Sequence, residues 1–332
     1  MSNKIYQGGF YNEYQKFRYL KTLPEKSVAQ ASRILSRARP IEEQYDIDLY
    51  NFSLHQVENL FNYLEPSTLN ASRSNFYIVQ NYIRWGIEQN LRDDNLNPIE
   101  LFSDVAYFNR FIDQSKKALY TKDEIDDIVD TCKNAQDSLV IQLIFEGIFG
   151  VSGYTELLNL TTNDVLENNT LRLKDGDSER LIRVSDKCIR LIEKAINEEV
   201  YYKKNGNASV NLKSADHAEL VKNNYVLRNV NTRSKDDGIA DAHLVLRRIK
   251  AIKEYAELKV LTPYIVRNSG MLYLAKKIYE EENKLEKDQI ISVCRQFGIR
   301  KINNNGYEVY NTHRYTEDFL NVRTIDEVYA DS

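Results

Sequence analysis

Cysteine and histidine are both scarce in this chain. Cys132, Cys188 and Cys294 lie far apart with no CxxC spacing, and only His55, His217, His243 and His313 can offer an imidazole. That pattern excludes a disulfide framework and argues against a structural zinc site. No run of ~18 apolar residues occurs, as a membrane-spanning helix would need; the most apolar stretch is Leu139–Phe149, and Met1 to Ile5 carry no apolar leader. The chain is therefore expected in the cytoplasm, with no membrane partner, no cofactor and no metal. Its 332 residues, 42% hydrophobic and 28% charged, suit two globular domains.

A net charge of −4 argues against a nucleic-acid partner if taken whole, but the charge is segregated along the chain. Residues 1–39 hold eight Lys/Arg against two acids, and 201–250 hold ten against five, whereas 119–150 hold seven acids against two bases. Two basic stretches are thus candidates for phosphate contact, although solvated helix surfaces produce the same pattern.

Proline is equally sparse, and four of its five occurrences (24, 40, 66, 98) fall in the first hundred residues, where they punctuate short helical segments. Ser53 and Gln56 have capping-box spacing ahead of Leu54, Val57, Leu60, Phe61 and Leu64, which predicts a helix ending near Pro66. Another helix is predicted from Asn70 to about Asn90 and a third near 26–37, with a further helical stretch running from Asn97-Pro98 to Leu119. Thr121 and Glu124 form a second capping box that opens a larger domain, followed by a helix around Ser138–Gly150 that is apolar on nearly every side. Short strands at 171–174 and 180–184 flank Asp175-Gly176 and predict a β-hairpin. Helical spacing resumes over Asp186–Tyr202, the polar stretch 203–240 reads as an extended excursion, and Val245, Ile249, Ile252 and Ala256 mark a last helical face with Arg247 and Lys250 away from it and Arg248 at its flank. The fold class is accordingly mainly α with a small β-hairpin, in two domains: a basic segment 1–40, a helical domain with linker 41–118, and a larger domain 119–332.

Within the larger domain, Gly153-Tyr-Thr-Glu-Leu-Leu-Asn-Leu160, a hairpin containing Lys174 and Arg180, Thr262-Pro-Tyr-Ile-Val-Arg267, Phe297-Gly-Ile299 and Thr312-His-Arg-Tyr315 follow one another in order. In that order the chain resembles the tyrosine recombinase (phage integrase) family, whose motifs are Arg-x-Ser-Glu-Leu, a hairpin Lys, Pro-His-x-x-Arg, Leu-Gly-His and a nucleophilic Tyr. The region 41–100, ending Asn95-Leu-Asn-Pro98, resembles that family's core-binding domain. The implied architecture is a two-domain clamp around duplex DNA.

Cutting a DNA strand through a tyrosyl intermediate needs an activated phenol, guanidinium groups on the nonbridging phosphate oxygens and an acid for the departing 5′ oxygen. Against the family pattern, Gly153 stands at the first Arg, Tyr264 at the His of the second motif and Ile299 at the last His, while Lys174, Arg267 and Tyr315 match. Losing one electrostatic donor costs ~2.7–4 kcal/mol of transition-state stabilisation. The expectation is an inactive recombinase scaffold kept for DNA binding. Among integrase-like proteins lacking the catalytic set, the chain most resembles lytic-cycle repressors of SPbeta-type phages, which implies sequence-specific binding to operator DNA in a bacterial host and a phage-encoded regulatory protein as a further partner.

Candidate DNA contacts are Arg73, Asn75, Lys174, Arg247, Arg248, Lys250, Arg267, Arg295, Arg300 and Lys301. Arg73 and Asn75 lie near the start of a helix, where Arg or Asn can pair bidentately with guanine or adenine. Plainer readings stand beside these: Arg267 as a buried salt-bridge partner, Tyr315 as core packing, Arg73 and Asn75 as solvent-facing residues, and Trp85 with Tyr82 and Phe76 as core. Two other function classes stay open. One is an active recombinase in which Arg172, Arg183 or His313 substitutes for missing groups; the other is a protein-interaction factor for another recombinase.

Overall fold

The computed structural model describes residues 9–66, 68–112, 119–151, 153–207, 215–231 and 240–330. The chain separates into two compact units, Met1–Lys116 and Lys117–Ser332.

In the first unit, helices α1 (Glu13–Leu20), α2 (Glu25–Tyr45), α3 (Leu54–Leu64), α4 (Leu69–Glu88) and α5 (Val105–Asn109) enclose one core. Ser53 and Gln56 close the predicted capping box of α3, and the Thr68 hydroxyl accepts the Ala71 N–H to start α4. Only Val105–Asn109 is helical in the stretch expected to run to Leu119, part of which (113–118) lies outside the described residues. Pro40 does not end a helix: α2 continues through it to Tyr45. A proline there forfeits one backbone hydrogen bond at a cost of ~3 kcal/mol, which the burial of Leu35, Ala38 and Ile41 on the same helix offsets. The described part of the basic segment, residues 9–40, is thus folded into this core through Tyr19, Leu20, Ile34 and Leu35. Lys16, one of its eight cations, is completely buried. Trp85 stacks on Tyr82 with ring centroids 5.6 Å apart, and Phe76 meets Phe108 edge-on at 5.1 Å, so these aromatics are core.

The second unit is built around a helix with no exposed face. Helices α6 (Lys122–Thr131), α7 (Ala135–Phe145) and α8 (Thr155–Leu158) come first, and every residue of α7 after Ala135 is buried. Gly270 permits the close approach of a later helix to α7, because a Cβ there would lie 1.8 Å from the Phe145 carbonyl oxygen. Strands β1 (Val165–Leu166), β2 (Thr170–Asp175) and β3 (Ser178–Arg183) form an antiparallel sheet in that order, with Leu171 opposite Ile182 and Leu173 opposite Arg180. The alternation along β2 puts Leu171 and Leu173 in the core and Arg172 and Lys174 outward.

Helix α9 (Asp186–Asn197) stops short of the expected Tyr202; Val200–Tyr202 instead forms β4, paired with β5 (His217–Glu219). The expected excursion therefore returns to the fold at β5, while its segments 208–214 and 232–239, including Lys213, Arg233 and Lys235, lie outside the described residues. Helices α10 (Ala242–Tyr255), α11 (Pro263–Glu282) and α12 (Lys287–Gln296), the hairpin β6 (Ile302–Asn304) and β7 (Tyr307–Val309), then α13 (Thr312–Asp318) and α14 (Val322–Tyr329), complete the chain. A second cluster in this unit, formed by Met271, Leu272, Ile290, Val293, Phe297, Leu320 and Ile325, seats the C-terminal helices. No helix among the described residues is long and apolar enough to cross a membrane.

Candidate nucleic-acid interface

The turn that carries the first motif is braced from three sides. Glu156, 4% exposed, accepts hydrogen bonds from the backbone N–H groups of Phe149 (3.2 Å) and Gly150 (3.1 Å) and from the Arg180 guanidinium at 2.5 and 2.7 Å. Arg180 also donates to the carbonyls of Gln296 (2.7 Å) and Gly147 (2.8 Å), tying the hairpin to the end of α12. Asp175 receives the Val151 N–H and the Thr155 hydroxyl. With all its donors turned inward, Arg180 cannot replace the guanidinium missing at Gly153. That glycine has a left-handed φ of +65°, and a Cβ placed on it would meet nothing within 4 Å. The first-Arg position is empty space on a backbone that disfavours a side chain.

Arg267, on the first turns of α11, lies over the rings of Phe149 and Tyr264, each 4.9 Å from its guanidinium carbon. No carboxylate pairs with it among the described residues, and its Nε has no hydrogen-bond partner there. The salt-bridge reading of Arg267 therefore gives way to cation–π packing. Burial pulls this guanidinium below its ordinary value, with Tyr315 and Tyr264 acting the other way and Arg314 reinforcing the shift. Tyr315 stands on α13 with its ring 6.2 Å from Phe319, half-buried against the C-terminal cluster. Burial raises its phenol above the ordinary tyrosine value despite Arg267 and Arg314, so the hydroxyl is kept protonated. Ile299 packs into the same cluster, and Tyr264 is exposed. The arrangement can hold a phosphate on Arg267 but places no neutral-range acid at either histidine position.

The hairpin lysine is engaged. Lys174 Nζ lies 2.8 Å from Asp164 Oδ1. Burial pushes this carboxyl up, but Lys174 and Thr161 outweigh it and hold Asp164 below the usual carboxylate range. The proposed stand-ins are placed elsewhere: Arg172 pairs with Glu179 at 3.5 Å, Arg183 is exposed on β3, and His313 is exposed beside Glu317 at 3.4 Å.

Two candidate DNA contacts are corrected by burial. Arg248, 4% exposed, donates to the Gln136 carbonyl (3.1 Å) and side-chain oxygen (3.1 Å) and to the Arg228 carbonyl (2.8 Å), and its Nε lies 3.5 Å from Asp137. It locks α10 to α7 and has no free edge for a phosphate. Asn75, 6% exposed, lies on the buried side of α4 within the first unit and cannot reach a base edge. Arg73 is half-buried, with its guanidinium 5.7 Å from the Phe108 ring. By contrast Arg247, Lys250, Arg295, Arg300 and Lys301 are all exposed on the second unit. Arg247 shares a shallow groove with Lys203, Lys204 and Tyr255, and no acid among the described residues lines it.

Two family models match the chain: the MrpR N-terminal core-binding domain over residues 10–88 and the MrpR C-terminal catalytic domain over residues 119–330. The SPbeta prophage-derived uncharacterized protein YopR of Bacillus subtilis (strain 168) is 29% identical over 326 residues, 97% of each chain. Among solved structures, the XerA recombinase is similar at 12% identity, covering 96% of each chain, with a TM-score of 0.41. A lambda integrase dimer bound to a COC′ core site is similar at 13% identity, covering 88% of this chain and 79% of that one, with a TM-score of 0.47. With both domain models matched in order over most of its length, the chain belongs to the MrpR family of recombinase-like proteins.

Proposed function

We propose that this protein is a sequence-specific double-stranded DNA-binding repressor of phage lytic genes, which keeps a prophage dormant and does not cut DNA. The observation that carries the reading is the state of the site around Arg267. One recombinase-type guanidinium persists, stacked and with no carboxylate partner among the described residues, while Gly153 opens on empty space and Ile299 packs against an apolar cluster. Three absent groups, at ~2.7–4 kcal/mol for each lost electrostatic donor, remove several orders of magnitude of rate. Phosphate grip by Arg267 and the exposed cations of the second unit needs none of the lost groups. The match of the first unit to a core-binding domain supports DNA as the partner.

Recovery of bound fragments from the prophage genome, followed by titration at several salt concentrations, tests the reading. The expected result is a set of repeated sites near lytic promoters, bound with a steep negative salt dependence. Weak, non-selective binding would favour the alternative of an accessory factor that needs a protein partner.

A further inference from the structure

The hairpin β6–β7 is a two-stranded ribbon with no covering layer: every residue from Arg300 to Val309 is exposed. Its register is fixed by Ile302 opposite Val309, Asn303 opposite Glu308 and Asn304 opposite Tyr307. The turn is a tight two-residue loop, with Asn305 at φ 52° and Gly306 at φ 88°, and the Asn303 side chain accepts the Gly306 N–H at 2.9 Å. Positive φ at both central positions is what a ribbon with native right-handed twist requires. Side chains opposite one another share a face, so Ile302, Asn304, Tyr307 and Val309 line one side. Ile302, Tyr307 and Val309 remain 45%, 76% and 37% exposed. Isolated two-stranded hairpins are marginal in water, so an uncovered one with three exposed apolar side chains is built to meet something.

Charge and place favour a polyanion. Between Ile299 and Arg314 the cations Arg300, Lys301 and Arg314 face one acid, Glu308, which lies on the face opposite Ile302. Ile299 and Tyr310, from which the ribbon leaves and to which it returns, pack on the same cluster as Tyr315, whose phenol lies within electrostatic range of Arg267. The ribbon therefore springs from beside the phosphate-gripping site. Its strands are three residues each, or about 10 Å at a rise of ~3.3 Å per residue. The major groove of B-DNA is ~8.5 Å deep and ~12 Å wide and admits a two-stranded ribbon.

We propose that the β6–β7 ribbon enters the major groove of the bound DNA and reads it, with Asn304 pairing to adenine, Ile302, Val309 and Tyr307 against thymine methyl groups, and Arg300 and Lys301 on the flanking phosphates. This rests on the DNA-binding reading above and adds the element that gives it sequence preference. Asn pairs bidentately with adenine, and apolar side chains meet the thymine methyl, so the ribbon selects A·T pairs.

The test uses the full chain and a synthetic duplex library with a randomised core. Wild type should enrich a consensus containing A·T pairs. Asn304→Ala should lose preference at those positions alone and bind the wild-type consensus roughly 10-fold or more weakly, with non-specific binding and melting temperature unchanged; Asn304→Asp should lose the same preference and, through its added negative charge, also weaken every sequence. Arg300→Gln should instead weaken all sequences alike. Full affinity and an unchanged consensus in the Asn304 variants would overturn the ribbon assignment while leaving DNA binding in place. Failure of the wild type itself to enrich any sequence would overturn both readings. Loss of self-association by the Asn304 and Tyr307→Ala variants in sedimentation, with DNA selection intact, would make the ribbon a contact between copies of the chain and equally overturn it.

Discussion

Lys16 Nζ lies 2.5 Å from Glu42 Oε1 inside the first unit, with both side chains completely buried. Asp48 Oδ1 and the Tyr82 hydroxyl complete the cluster at 2.8 and 3.1 Å, so α1, α2 and α4 are joined through one ammonium. Breaking a buried pair by removing one partner costs ~3–5 kcal/mol, because the remaining charges stay uncompensated. Lys16→Met should lower the melting temperature markedly, and adding Glu42→Gln should recover part of the loss. Equal stability of Lys16→Met and wild type would show that the ammonium contributes nothing net.

The same cluster predicts a pH dependence. Burial, opposed by Lys16, pushes the Glu42 carboxyl from 4.5 up to about 7. Folded protein then holds a proton at Glu42 that unfolded chain has released, so this group's contribution is fully present below about 4.5 and is lost as pH rises through about 7. Thermal melts between pH 5 and 8 should show wild-type stability declining relative to Glu42→Gln. Parallel curves would remove Glu42 as the titrating group.

Adjacent arginines on α10 should behave in opposite ways. Arg248→Ala leaves Asp137 buried without its cation and should destabilise by ~3–5 kcal/mol. Arg247→Ala removes an exposed charge, leaving melting unchanged while lowering the salt slope of DNA binding by about one unit if it meets a phosphate. Identical melting of the two variants would contradict the burial of Arg248.

No covalent adduct should form on a nicked duplex carrying the selected site, and Tyr315→Phe should bind it about as well as wild type. Gly153→Arg alone should not restore cleavage, because it meets a left-handed backbone and leaves Ile299 in place. A wild-type adduct abolished by Tyr315→Phe would end the repressor-only reading.

Gly270→Ala should destabilise the second unit by ~1–3 kcal/mol, since its new methyl would overlap the Phe145 carbonyl. Hydrogen exchange of α7 amides is the sensitive readout, and unchanged protection there would mean that the two helices separate at little cost.

Local chemistry is legible in this sequence wherever both partners lie within a few residues. The boxes at Ser53/Gln56 and Thr121/Glu124 start their helices as the spacing predicts. Asp175-Gly176 opens the turn between β2 and β3, and the all-round apolar pattern after Ala135 marks the buried helix. Asn305-Gly306 carries an equally strong hairpin signal, but it sits between three-residue strands too short to show alternation. The motif order, with Gly153, Tyr264 and Ile299 where the recombinase motifs carry Arg, His and His, is likewise read from the sequence alone.

Which polar groups are buried was decided only by the tertiary structure. Lys16 reads as one more cation of a basic segment until Asp48, 32 residues on, folds against it. Arg248 reads as a flank residue until Asp137 and Gln136, more than a hundred residues earlier in the chain, close around it. Asn75 sits on a helix face whose covering comes partly from α5, and Pro40 is tolerated because its helix buries enough apolar surface to outlast one missing hydrogen bond. Periodicity assigns a residue to a face of its own element; the solvation of that face is set by distant segments, and desolvating a charge is affordable only where folding brings its counter-charge.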